Sequence, residues 1–153
     1  MREAISYLKK LIEACVESVK HTCLYLEALV LTDPNDMTDC ISYSTKVQQK
    51  FIEHPEFLFW RGRILLYNGQ LEMGKKHLKQ ALQIDPDSLK IQRYWKNLQK
   101  GDKLKQEAAE LFAKSEIEQA LANYEQCLLL DPLNNAFNMT ILYNQACALA
   151  KVD

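Results

Sequence analysis

With 153 residues, 48% of them hydrophobic and 25% charged, the chain has the size and make-up of an ordinary globular domain, which excludes a low-complexity or disordered polymer. Lys and Arg number 19 against 20 Asp and Glu, so the net charge of −1 creates no global field toward nucleic acid or an anionic membrane. The longest apolar run, residues 23–31, is interrupted by Glu27 and falls well short of the roughly 20 residues of a membrane span; the first residues show no signal-peptide block.

Only four Gly and four Pro punctuate the chain, a pattern of long helices joined by short turns. Residues 4–18 read as an amphipathic helix with Leu8, Leu11, Ile12 and Cys15 on one face. Residues 21–54 follow as a helix pair. Leu24, Ala28 and Leu31 mark its first helix, Asp33-Pro34-Asn35-Asp36 its turn, and Cys40, Ser44 and Val47 its second helix. From 55 to 88 the pattern sharpens: Leu58, Gly62, Leu65 and Gly69, then Gly74, Leu78, Ala81 and Pro86. Asp87 can cap a connecting helix over residues 89–100, with Ile91, Trp95 and Leu98 on one face. That helix is expected to run on through Gly101, at the roughly 1 kcal/mol that an interior Gly costs. Residues 101–134 repeat the earlier pattern with Leu104, Ala108, Leu111 and Ser115, then Ala120, Tyr124, Cys127 and Pro132. Residues 139–153 hold the start of one more unit, a helix over 141–149 with Ala146 at the small place and Leu149 at the large one.

Physical roles explain the agreement. Small residues at the eighth and twentieth places let two antiparallel helices approach, and large apolar residues between them fill the core, each worth roughly 1.5–3 kcal/mol when buried. The Asp-Pro pair ends the second helix, because proline cannot continue it. Self-similarity at this spacing resembles the tetratricopeptide repeat, whose period is about 34 residues. The resemblance implies an all-α fold, a right-handed solenoid of antiparallel helix pairs. It divides the chain into a block over 1–88 (partial repeat 1–20, repeats 21–54 and 55–88), a connecting helix over 89–100, and a second block over 101–153. Neither end reads as a polar cap, as expected for a piece of a longer array.

The order of features is similar to one family in particular, J-domain co-chaperones of the tetratricopeptide repeat protein 2 type. The matching residues are Lys103-Leu104-Lys105, then Leu129-Leu130-Asp131-Pro132-Leu133-Asn134, then Leu142-Tyr143-Asn144-Gln145, with Trp60-Arg61-Gly62 standing where the family has Val-Arg-Gly. The J domain itself is absent, since His54-Pro55-Glu56 is not its His-Pro-Asp triplet. The resemblance implies a co-chaperone adaptor that binds the carboxyl-terminal tails of heat shock proteins 70 and 90, or their clients, in a carboxylate clamp. Carried over by position, Lys105 takes the clamp's lysine place and Asn144 its second asparagine place; Ala109 stands where the clamp has its first asparagine.

Other signals are weighed on the residues alone. Phe59, Trp60, Arg63 and Tyr67 lie on the first helix of the best-formed repeat, either as groove hot spots or as core. The basic run from Lys90 to Lys105 reads as a solvated helix face. His21, His54 and His77 have no second ligand at helical spacing and no nucleophile nearby, and no Gly-rich phosphate loop exists. We therefore expect no catalysis, cofactor, metal, nucleic acid or membrane, but a non-catalytic protein-binding module. The alternatives are a scaffold of a non-chaperone assembly and the repeat arm of an enzyme such as a prolyl isomerase or phosphatase. Five scattered cysteines without a C-x-x-C pair suit a reducing compartment, hence the cytoplasm or the nucleus as the expected location. Self-association is expected through Ile5 and Leu8 at one end and Ile141 and Leu149 at the other.

Overall fold

The computed structural model describes residues 2–14 and 18–151, and over these it is all-α. Eight helices occur among the described residues: α1 (Arg2–Ala14), α2 (Val19–Thr32), α3 (Thr38–Phe51), α4 (Pro55–Tyr67), α5 (Leu71–Ile84), α6 (Leu89–Ala113), α7 (Ile117–Leu130) and α8 (Asn135–Leu149). They form two compact units, Met1–Ile91 and Gln92–Asp153. Cys15, expected on the first amphipathic face, lies outside the described residues.

In the first unit α4 is the central element, packed against α2, α3 and α5. Its sequence explains why. Pro55 opens it at a position where no amide donor is needed, and PEFLFWRGRILLY is apolar nearly all round, so ten of its 13 residues are buried. The pairing with α5 rests on two glycines. A Cβ on Gly74 would stand 2.8 Å from the Gly62 carbonyl oxygen and 2.6 Å from Leu66 Cγ; one on Gly62 would stand 2.9 Å from Leu78 Cγ. Backbone meets backbone there, so no side chain fits. Gly69 ends α4 at φ +77°, the left-handed conformation that only Gly adopts without cost.

The helix pair α2–α3 departs from expectation in register. Leu24 and Leu31 are exposed, and the buried face is Cys23, Leu26 and Val30. The cause is the turn. Residues 33–37 make five connecting residues where α4–α5 uses three, and the turn is built by its own side chains: Asp33 Oδ1 accepts from Asn35 N at 3.0 Å, and Asp36 Oδ1 from Thr38 N at 2.9 Å. Two extra residues are about 200° of helix rotation, enough to exchange the two faces of α2. Cys40 and Ser44 of α3 are buried as their positions require.

In the second unit the core is Leu104 and Ala108 of α6, Ala120, Tyr124 and Cys127 of α7, and Ile141 and Ala148 of α8. The uninterrupted α6 does run through Gly101, for 25 residues. It starts at Leu89, which sets Ser88 rather than Asp87 immediately ahead of its first turn. α8 starts earlier than residue 141, at Asn135, because Asn134 caps it: its Oδ1 accepts from Phe137 N at 3.2 Å. Asn138 then ties the helix back to the Asp-Pro turn, donating to the Asp131 and Pro132 carbonyls at 3.0 and 3.2 Å. Ala146 and Leu149 are exposed, whereas Ile141 is fully buried and Ala148 is the small residue inside.

Candidate functional site

The residues singled out by sequence fall in two places. In the first unit, Phe59, Trp60 and Tyr67 are buried to within a few per cent, inside the unit and not on an open groove. α4 is covered on several sides, so aromatic residues that a two-helix repeat would expose become core. Arg63, half-buried, lays its guanidinium over all three rings, 4.9 Å from Trp60, 5.2 Å from Tyr67 and 5.6 Å from Phe59, and donates to the Tyr67 hydroxyl. Lys90 completes the cover, its Nζ 4.9 and 5.0 Å from the Phe59 and Trp60 rings and 3.3 Å from Glu56 Oε1. The two cations cover the ring faces. Sequence reasoning read Lys90 only as part of a solvated basic face; it stands one repeat length after Glu56, at 34 residues. A cleft of about 410 Å³ opens beside it, lined by His54, Glu56, Phe59, Asp85 and Lys90 among others.

Deeper in the same unit, Arg61 is buried with Nη1 donating to the Ser44 hydroxyl at 2.9 Å and the Thr45 hydroxyl at 3.3 Å. Desolvation lowers its proton affinity, and desolvation together with the Arg61 charge holds the buried His77 below the ordinary histidine range. Both groups sit between helices and shape the packing.

In the second unit, Lys105 and Asn144 are partly exposed, on α6 and α8, the two helices that share the core with α7. Lys105 Nζ stands 5.6 Å over the Phe137 ring. Ala109 is exposed one turn further along α6, where a methyl group offers a carboxylate nothing. Lys105 offers a cation and Asn144 an amide, each from its own helix. A pocket beside Gly101 holds only about 20 Å³, room for one water and not for a ligand. Among the described residues no group of His, Cys, Asp and Glu could hold a metal ion, and no helix is long and apolar enough to cross a membrane.

Comparison with known proteins fits this anatomy. The tetratricopeptide repeat family model matches residues 55–88, the span of α4, α5 and the Asp-Pro turn. The chain is 26% identical over 129 residues to a DnaJ homolog subfamily C member 7 homolog of Schizosaccharomyces pombe, covering 84% of this chain and 27% of the relative. A homolog of the same name from Dictyostelium discoideum is 26% identical over 128 residues, 84% of this chain and 24% of its own length. A DnaJ homolog subfamily C member 3 homolog of Dictyostelium discoideum is 33% identical over 90 residues, 59% of this chain and 18% of the relative. The chain thus spans about a quarter of the length of the first two relatives. No solved structure matches. The chain carries a tetratricopeptide repeat at residues 55–88 and resembles, over most of its length, part of these J-protein relatives.

Proposed function

We propose that this chain is a non-catalytic, co-chaperone-like adaptor whose second unit receives the acidic carboxyl-terminal tail of a heat shock protein 70 or 90. The observation that carries the reading is the similarity to two DnaJ subfamily C member 7 homologs across 84% of the chain, spanning both helical units. Lys105 and Asn144 support it as the groove's cation and amide. With Ala109 in the place of an asparagine, one hydrogen-bonding partner is lost, so affinity rests mainly on Lys105.

The test is a fluorescence-anisotropy titration of the chain with a labelled peptide ending Met-Glu-Glu-Val-Asp. Dissociation in the micromolar range, about −8 kcal/mol, is expected, with a loss of tenfold or more for the amidated peptide and for Lys105→Ala. Binding indifferent to amidation and to Lys105→Ala, or no binding by the folded chain, ends the tail-capture reading.

A further inference from the structure

The first half of α6 carries charge of one sign along one side. Arg93, Lys96, Lys100 and Lys103 are exposed and stand three, four and three residues apart, a stripe about 15 Å long. Among the described residues the side chains of Arg93, Lys96 and Lys100 make no ion pair or hydrogen bond, and Lys103 reaches Glu107 Oε1 at 3.5 Å. Asp102, the single acid between residues 89 and 106, is half-buried and off the stripe. Of the seven Lys and Arg in residues 92–153, five lie between 93 and 105, whereas seven of the eight acids lie elsewhere. The second unit is therefore polarised, although the chain as a whole is nearly neutral.

A helix face that only meets water alternates its charges, as the second half of α6 does. There Lys103 pairs with Glu107, and Gln106 donates to Glu110 at 3.2 Å. The first half repeats one sign, and like charges three and four residues apart oppose the helix that carries them. Paired charges would serve solubility as well, so solvation alone does not account for the stripe.

We propose that this stripe is a docking surface for a short acidic segment of a partner protein. Its length decides the class of partner. An extended segment of about five residues spans 15 Å and can set its carboxylates along the four cations. Past Lys103 the same helix turns acidic at Glu107 and Glu110, so a long polyanion such as a nucleic acid strand would run from attraction into repulsion. The surface is separate from the place given to a carboxyl-terminal tail. Lys105 is two residues from Lys103, about 200° around the helix, and its Nζ lies 5.6 Å over the Phe137 ring. Attraction to exposed lysines in water is weak and salt-dependent, which makes this a steering contact that forms and releases quickly.

The test is fluorescence anisotropy of the chain with a labelled peptide of five consecutive glutamates flanked by Gly-Ser. Its carboxyl end is amidated, so tail capture cannot contribute. Dissociation on the order of 100 µM is expected at about 50 mM salt, weakening at least fivefold at about 300 mM. The double variant Lys96→Glu, Lys100→Glu should lose at least tenfold while its helical circular dichroism stays unchanged, and Lys96→Gln, Lys100→Gln about fivefold. The same reversal on α5, Lys75→Glu with Lys79→Glu, should cost less than threefold, as should Lys105→Ala. No binding by the folded chain, indifference to both stripe variants, or an equal loss from the α5 reversal overturns the proposal. A loss as large from Lys105→Ala overturns it too, moving the peptide to the tail site. Tenfold tighter binding of a labelled 20-nucleotide thymidine strand would assign the stripe to nucleic acid and end the proposal as well.

Discussion

The helix pairs α4–α5 and α6–α7 carry the same plan with different means. In the first, the contact residues are Gly62 and Gly74, and each partner backbone lies where a Cβ would stand. In the second, the equivalent places hold Ala108 and Ala120, both fully buried. Two methyl groups there forbid the backbone approach of α4 and α5, and the larger Tyr124 fills space that Leu78 fills in the first pair. The turn between helices differs in the same direction: Gly69 at φ +77° in one, Ser115 at φ 64° in the other. The lesson is that the repeat fixes which positions are small and which turn is left-handed, while the residues used set how close the helices come and how much strain is kept.

The contrast is broken most sharply at Gly74. Gly74→Ala gains about 1 kcal/mol of helix propensity but places a Cβ against the Gly62 carbonyl, which cannot move without shifting α4. A net loss of about 2 kcal/mol in urea unfolding is expected. Gly101→Ala is the control. Its Cβ meets only the ends of Phe137 and Leu130 side chains, at 3.3 and 3.4 Å, so propensity and crowding nearly cancel and stability should stay within about 0.5 kcal/mol. If the two substitutions cost the same, close approach is not what the first pair uses glycine for.

The turns give a smaller, paired effect. Ser115→Gly should stabilise by about 1 kcal/mol and Gly69→Ala destabilise by a similar amount, because each L side chain at positive φ carries that cost. Thermal melts of both variants decide it; equal and opposite shifts are the expected result.

The smallest expected effect is with pH. Burial and the Arg61 charge depress the folded-state affinity of His77 for a proton, so the unfolded chain takes up the proton first as pH falls. Stability is therefore fully present above about pH 6.5 and declines below it until the folded-state value is passed. His77→Gln should flatten the slope of urea midpoint against pH between 6.5 and 5; an unchanged slope assigns the pH response elsewhere.

Much of this architecture is legible in sequence where local chemistry decides it. The Asp85-Pro86 and Asp131-Pro132 turns end α5 and α7, and the helical period of Ile91, Trp95, Leu98 and Leu104 carries α6 through its glycine. The rotation of α2 was hidden because it depends on the length of a turn, two residues longer than that of α4–α5, and not on its composition. The burial of Phe59, Trp60 and Tyr67 was hidden because it depends on how many helices surround α4, which the period of α4 alone does not state. Asn144 and Lys105 are placed on the surface by their own polarity, but which molecule they meet is a property of a groove and not of a spacing.

The cysteines carry one more consequence. Burial pushes the Cys23 and Cys40 thiols up to about 12, and that of Cys127 upward as well. At neutral pH about one molecule in 100,000 carries Cys23 or Cys40 as the nucleophilic thiolate. These thiols are inert fillers of the helix pairs, so the folded core needs no reducing surroundings to stay intact. Of the four described cysteines only Cys147 is exposed, so peroxide or a glutathione disulfide would reach that thiol first and leave the buried ones untouched.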